Sequence, residues 1–418
     1  MFKIIRRIIA ALLSVVGVLV LFVAILLVRC QTTPEVVYVS SSAVAPASGE
    51  IIDTTVAEMQ SAGVMAFAPD NALLVADSKT GTIFAFEVAA GAAPSSPTSY
   101  DIYDVDVQIA SLLGVSTDQI QINDLAVHPV DNTAYLSVMR GHGDSAIPVV
   151  LNVTTAGDIS VVDLAGTPYT SVQIEGLPDE DLLFWDKVSG LNLSITDIDY
   201  YDGELYVAGL SNTEFSSELR TISYPFDGTV SYASTEIYHT VHDQNETRAP
   251  IRTQTIIDAG EADPILLAAY TCTPLVTLPL NEFDDGAHVM GKTIAELGYG
   301  NTPIDVIQFA QTGDDGSVQN MVMITHTDYS AMVLSVDQIM ARNAEDGLTE
   351  VVGLGVIEGV DPFVTPLSGV LQVSDQDTEH LLMLKTNLDT NNLDLVSTVK
   401  GEYFRPDDLV IEGDVSES

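Results

Sequence analysis

The chain predicts an all-β protein: a β-propeller in which six blades are counted, with room for a degenerate seventh, preceded by one N-terminal transmembrane helix. Three observations carry this. Apolar and polar residues alternate in short runs broken by Gly, Asn and Asp, the pattern of half-buried strands and hairpin turns. The same strand–turn–strand cadence restarts six times, about fifty to seventy residues apart, as stacked four-stranded units would. No long amphipathic helix interrupts it. The nearest helical candidates are VQIASLLGV (107–115), KTIAELG (292–298) and VDQIMARNAEDG (336–347), each short.

Element by element, residues 1–30 form a membrane segment. MFKIIRR is basic, and Ile8–Val28 is twenty-one residues without charge, long enough to span a bilayer at about 1.5 Å per residue. Lys3, Arg6 and Arg7 precede the span and Arg29 follows it, which places the N-terminus in the cytoplasm. No A-x-A cleavage pattern follows closely, so an uncleaved anchor is the expectation, with a cleaved signal as the alternative. Residues 31–50, rich in Ser, Ala, Thr and Pro, read as a spacer. Residues 51–418 form the propeller domain. Its units begin in AGVMAFAPDNALLVADSKTGTIFAFEV (62–88), INDLAVHPVDNTAYLSV (122–138) and ITDIDYYDGELYVAGL (195–210). They continue in TIIDAGEADPILLAAYTC (255–272), PIDVIQFAQTGDDGSVQNMVMITHT (303–327) and SGVLQVSDQDTEHLLMLKT (368–386). DDLVIEG (407–413) is a further strand that would pair with the first blade and close the ring, removing exposed edges.

Charge narrows the function. The chain carries 59 Asp and Glu against 15 Lys and Arg, a formal net charge of −44. The four basic residues ahead of the first acid, Glu35, leave −44 − 4 = −48 for the rest. Such a surface repels phosphate backbones and excludes nucleic acid as a partner. It also suits a saline setting, where counterions screen the acids. The expected location is the extracytoplasmic, periplasmic face of a cell envelope, anchored by residues 8–28. Only Cys30 and Cys272 occur, so the exported domain has no internal disulfide. Cys272, in AAYTCTPLV, reads as a buried thiol within a strand.

The turn between inner strands in VHPVDNTAYLSV resembles the broad propeller class that includes gluconolactonase-like and quinoprotein-like folds. Five runs between about residues 105 and 310 resemble a group of uncharacterised bacterial envelope proteins. They are INDLAVHP, ELYVAGLSNTEFSSELR, YHTVHDQNETRAPIRT, AYTCTPLV and GKTIAELGYGNTPID. That resemblance implies the propeller and the envelope location and no particular activity. Likeness to lactonase-type propellers implies one channel calcium held by inner-strand Glu, Asn and Asp. Asn123, Asp124, Asp197 and Asp305 each stand early in a repeat, and Asp199 shares the face of Asp197.

The densest cluster of functional side chains is EIYHTVHDQNETRAPIRT (236–253). On an acidic surface, Arg140, Arg220, Arg248 and Arg252 are expected inside and paired, for instance with Glu218, Glu246 or Asp243. Where pairing is incomplete they would hold an anion. Arg140, Arg248 and Arg252, with His239 and His242, are therefore the candidate anion site. His239, His242, Glu246 and Cys272 are also ligand types that zinc or copper accepts, although HExxH and CxxC motifs are absent.

Other constellations fail. RGHGDSA (140–146) and DTEH (377–380) echo a Ser–Asp–His hydrolase, but no helix follows Ser145 and no G-x-S-x-G occurs. TGDDGS (312–317) and DTNNLD (389–394) read as hairpin turns. No CxxCH, P-loop or G-x-G-x-x-G motif precedes a helix, so neither haem nor nucleotide is expected. A lone Trp185 argues against a quinone-binding propeller. The reading is thus a membrane-anchored, extracytoplasmic propeller that binds a small anionic ligand or an envelope protein partner. A calcium-dependent lactonase-like hydrolase and a purely structural scaffold are the alternatives. The two sets of side chains discriminate: one convergent carboxylate centre favours the hydrolase, and an arginine-lined pocket favours the anion.

Overall fold

The computed structural model describes residues 59–403, apart from Trp185, Glu261 and Asp314. The expected membrane segment, the spacer and the closing strand at 407–413 lie outside the described residues. Among the described residues no helix is long and apolar enough to cross a membrane.

Six blade sheets form, one for each repeat read in the sequence. Blade 1 takes its inner three strands from Met65–Phe67, Leu73–Asp77 and Thr82–Phe86. Blade 2 is continuous in the chain: Ile120–Val127, Ala134–Arg140, Ile147–Val153 and Ile159–Val161. Blade 3 runs Asp197–Tyr201, Glu204–Leu210, Ser217–Ser223 and Val230–His239, widened by Gln244–Glu246 and by a parallel strand, His288–Met290. Blade 4 comprises Ile251–Ile257, Ile265–Tyr270, Pro274–Pro279 and Lys292–Glu296. Blade 5 comprises Pro303–Thr312, Val318–His326, Met332–Ser335 and Phe363–Val364. Blade 6 begins with Val370–Asp375, His380–Thr386 and Leu393–Val399.

Six hydrophobic clusters occupy six blade-to-blade seams, which shows that the ring closes. Leu74 and Ile83 of blade 1 pack on Leu205 and Val207 of blade 3, and Ala208 and Leu219 of blade 3 on Leu266 and Val276 of blade 4. Leu267 and Ile294 meet Val322 and Ile324 of blade 5. Phe309 and Met323 then meet Val373 and Leu381 of blade 6. Leu382 and Leu395 of blade 6 meet Leu136 and Leu151 of blade 2, and Tyr135 and Val150 of blade 2 return to Leu73 and Phe84 of blade 1. The ring order is therefore 1–3–4–5–6–2. Each blade is covered on both faces, so second strands such as Ile265–Tyr270 are buried at every position and read as unbroken apolar runs.

Blade 2 stands between the first and last blades because the chain crosses twice. After three strands in blade 1 it gives Asp101–Ile102 to the edge of blade 6 and then builds blade 2. It returns with Tyr169–Gln173 to complete blade 1. Tyr100, 1% exposed, locks this crossing. Its hydroxyl donates towards the carbonyls of Asn132 (2.8 Å) and Val153 (2.9 Å) and accepts from the Ala134 amide at 2.9 Å.

Two expected helices form, α1 at Val105–Leu112 and α2 at Val336–Asn343, the latter capped by the Ser335 hydroxyl accepting from the Gln338 amide at 3.1 Å. KTIAELG does not. Lys292–Glu296 is instead the outer strand of blade 4, because Thr293 and Ile294 fit a pleated edge and that edge was open on Pro274–Pro279.

Candidate functional site

Inner strands begin on one face of the ring, and that face carries two groups of functional side chains. The first lines a wide funnel of about 2090 Å³ whose wall includes Lys79, Asn123, Arg140, His142, Thr196 and Arg252. Asn123 and Arg252 come from the inner strands of blades 2 and 4, Arg140 from the end of the second strand of blade 2, and Lys79 from a turn of blade 1. Of the 15 Lys and Arg, five lie outside the described residues (Lys3, Arg6, Arg7, Arg29 and Arg405). Three of the remaining ten line this one cavity.

Their bonding is incomplete. Arg140 donates from Nε to the Leu113 carbonyl at 2.9 Å and meets no carboxylate. Among the described residues, the Arg252 guanidinium and the Lys79 ammonium have neither a hydrogen bond nor an ion pair. Arg220 behaves otherwise: fully buried, it pairs with Glu218 at 2.8 Å and donates to the carbonyls of Ser194 and Leu210, both at 2.8 Å. Arg220 is internal wiring, as the pairing with Glu218 anticipated. Arg248 is exposed and outside the funnel wall.

The inner strands beside the funnel carry buried acids. Asp124, Asp197 and Asp305 stand on the inner strands of blades 2, 3 and 5. Each reaches the neighbouring blade: Asp124 accepts the Met65 amide at 2.5 Å, Asp197 the Gln254 amide at 2.8 Å, and Asp305 the Val373 amide at 2.8 Å. The device recurs at alternate seams, 2 to 1, 3 to 4 and 5 to 6, and it follows one local sequence pattern: Ile122-Asn-Asp-Leu, Ile195-Thr-Asp-Ile and Pro303-Ile-Asp-Val.

Burial drives the acidities of these groups. It pushes Asp197 up to about 6 against the pull of the Gln254 amide and the Arg252 charge. It pushes Asp305 up to about 7, helped by the charge on Asp197 and opposed by the Val373 amide and Arg252. Asp124 and Asp199 are also held well above the ordinary carboxylate range, first by burial and then by the neighbouring aspartates. Asn123 donates to the Ala62 carbonyl at 2.6 Å. Among the described residues, no three of these carboxylates bring ligand oxygens within 4.8 Å of one another.

The second group stands further out on the same face, where blade 3 meets blade 4. His239 ends the Val230–His239 strand, His242 lies in the following turn, and Glu246 ends the short return strand. The two rings lie 4.0 Å apart. Glu246 Oε1 meets both Nδ1 atoms, at 3.0 Å for His239 and 2.6 Å for His242. Cys272 comes from the turn between Ile265–Tyr270 and Pro274–Pro279, at φ 87°. It is therefore half-buried on a turn, and the expectation of a thiol inside a strand is corrected. Two threonines flank it and end the apolar run. Burial disfavours the charged form of His239, but the adjacent Cys272 sulfur and Glu246 outweigh it and raise its pKa to about 9. Burial opposes ionisation of Glu246 as well, yet the two histidines bring it down to about 2.

The candidate anion set thus divides: Arg140 and Arg252 share the funnel, His239 and His242 share the rim, and Arg248 joins neither. Lys79 and His142 were not singled out from the sequence as anion ligands. The scarcity of basic residues was the available signal for Lys79. The hydrolase echo does not assemble. Among the described residues the Ser145 hydroxyl bonds only the His142 carbonyl, whereas His380 pairs with Asp377 at 3.1 Å in a turn of blade 6.

No protein-family model and no curated protein matches the chain. Solved structures do, at the level of fold. A PQQ-bound aldose sugar dehydrogenase from Streptomyces coelicolor is 12% identical, over 85% of this chain and 100% of its own, with a TM-score of 0.34. A putative oxidoreductase (glucose dehydrogenase) from Thermus thermophilus is 12% identical, over 81% and 97%, at 0.32. The Trypanosoma rangeli sialidase is 8% identical, over 81% and 54%, at 0.34.

Proposed function

We propose that the protein is an extracytoplasmic propeller, tethered by residues 8–28, whose funnel binds a small molecule bearing a carboxylate or phosphate. One observation carries the reading. In a chain of net charge −44, Lys79, Arg140 and Arg252 face one cavity, and among the described residues none makes a side-chain ion pair or hydrogen bond with a carboxylate, although Arg252 feels the charges of Asp197 and Asp305. The three cations are half-buried on the funnel wall, and an anionic ligand would supply acceptors through charge-assisted bonds. Asp163, Glu180 and Asp181 on the outer wall would repel ligands of high negative charge, which favours a single anionic group on a neutral polar body.

The test is calorimetric titration of the full chain in detergent against a panel of sugar acids, simple carboxylates and inorganic phosphate, with and without calcium. A carboxylate or phosphate that binds wild type and loses at least tenfold in affinity in Arg252→Ala supports the reading. A panel that binds nowhere, or equally to Arg252→Ala and Arg140→Ala, removes it.

A further inference from the structure

We propose that His239, His242 and Cys272 form a zinc site, independent of the funnel, with Glu246 as the carboxylate that orients both imidazoles. One donor atom from each of the three residues lies within 4.8 Å of the others. Ligands around a tetrahedral zinc stand about 3.5 Å apart, given Zn–N and Zn–S bonds of about 2.0 and 2.3 Å. A small rotation of His242, with 47% of its side chain exposed, about its bond to Glu246 would close the gap.

The second observation is an unsatisfied buried nitrogen. His239 is fully buried, its Nδ1 is committed to Glu246, and its Nε2 has no hydrogen-bond partner. The Cys272 sulfur is close enough to shift the charge state of the ring but does not meet hydrogen-bond geometry. A buried polar atom with no partner is destabilising. A metal ion on Nε2 removes the deficit. Glu246 takes Nδ1 of both rings, so each imidazole keeps Nε2 for the metal. This is the carboxylate–histidine–metal relay that fixes tautomer and ring orientation in zinc proteins.

The donor set selects the ion. Two imidazoles and a thiolate suit Zn²⁺ and exclude the oxygen-seeking Ca²⁺ and Mg²⁺. Binding releases the Cys272 thiol proton, and the Nε2 proton of any charged imidazole, to solvent as the Zn–S and Zn–N bonds form. Three protein ligands leave the fourth position to water or an external donor. The site also joins blade 3, through both histidines, to blade 4, through Cys272, so the bound ion clamps one seam of the ring.

The experiment uses the full chain in a Cys30→Ser background, reduced and stripped of metal, titrated with Zn²⁺ and with Co²⁺ as a spectroscopic probe. One equivalent of either ion should bind, and the cobalt form should show a thiolate-to-metal charge-transfer band. Cys272→Ser should abolish that band. His242→Ala, at an exposed position that folding tolerates, should weaken zinc binding at least tenfold, and Glu246→Gln should weaken it about 10–100-fold. Zinc should also block alkylation of Cys272 by iodoacetamide. Failure of the folded wild type to take up one equivalent overturns the proposal, as does a cobalt spectrum unchanged in Cys272→Ser, or alkylation that zinc does not slow. The last outcome, with brisk alkylation, marks Cys272 instead as an accessible free thiol.

Discussion

Tyr100 shows what one side chain does in this ring. Its hydroxyl meets two carbonyls and one amide that belong to other segments, and its ring packs in the seam between blades 6 and 2. Tyr100→Phe keeps the ring contacts and leaves the buried Val153 carbonyl and Ala134 amide without this partner, while the part-buried Asn132 carbonyl can turn to water. Each unmet group costs about 1–3 kcal/mol, and local relaxation recovers part, so the expected loss is about 2–4 kcal/mol, read as a lower urea midpoint. An unchanged midpoint would show that the crossing does not depend on this hydroxyl. Nothing local in TSYDIYD announces the role, because its partners lie about thirty to fifty residues away. Gly209 is similar: a Cβ there would stand 2.0 Å from the Ser194 carbonyl oxygen, a constraint invisible in YVAGL. By contrast, Arg220 paired with Glu218 as the sequence suggested, since the two stand two residues apart on one strand and share a face.

The inner strands carry the next level. Their positions were legible because Asp124, Asp197 and Asp305 open recurring apolar runs. Their bonding was not, because it depends on the register between blades distant in the chain. The three carboxylates act as latches across alternate seams, and their raised pKa values have a stability consequence. Asp197 and Asp305 rise from an ordinary 3.8 to about 6 and about 7. Between pH 4 and those values the folded state holds protons that the unfolded chain has lost, so stability falls as pH rises across that window. Asp305→Asn keeps an oxygen for the Val373 amide and removes the charge. The variant should lose less stability than wild type between pH 5 and pH 8, by on the order of 1 kcal/mol, in urea melts at each pH. A parallel pair of curves would mean that channel water already solvates the Asp305 charge. The His–Cys rim was half legible at this scale. The histidines stand three residues apart, a spacing that converges on one side of a turn or helix, but Cys272 joins them only because blade 4 docks on blade 3.

At the scale of the molecule, opposite demands meet in one ring. A net charge of −44 spread over the surface repels itself and disfavours the compact state, while six apolar seams and two chain crossings hold it closed. The blade count was readable from cadence, since every blade repeats a strand–turn–strand period. The ring order was not. Blade 2 lies between blades 6 and 1 because two short edge strands, Asp101–Ile102 and Tyr169–Gln173, pair away from their sequence neighbours, and such strands carry almost no pattern of their own. Self-repulsion makes a prediction that separates it from the funnel. With a sequence pI near 4.1, the net charge almost vanishes near pH 4 and is large at pH 8. Raising sodium chloride from about 0.02 to 0.5 M shortens the screening length from tens of ångströms to a few. The melting temperature should therefore climb by several degrees at pH 8 and hardly at all near pH 4. Sodium chloride and sodium sulfate at matched ionic strength should act alike if screening is the cause, apart from the modest strengthening of burial that sulfate brings to any protein. Arg252→Ala should leave the salt response intact, because a diffuse field does not depend on one guanidinium. A salt effect that vanishes in Arg252→Ala would instead trace the stabilisation to anion occupancy of the funnel, and would move the electrostatics of this protein from its surface to its axis.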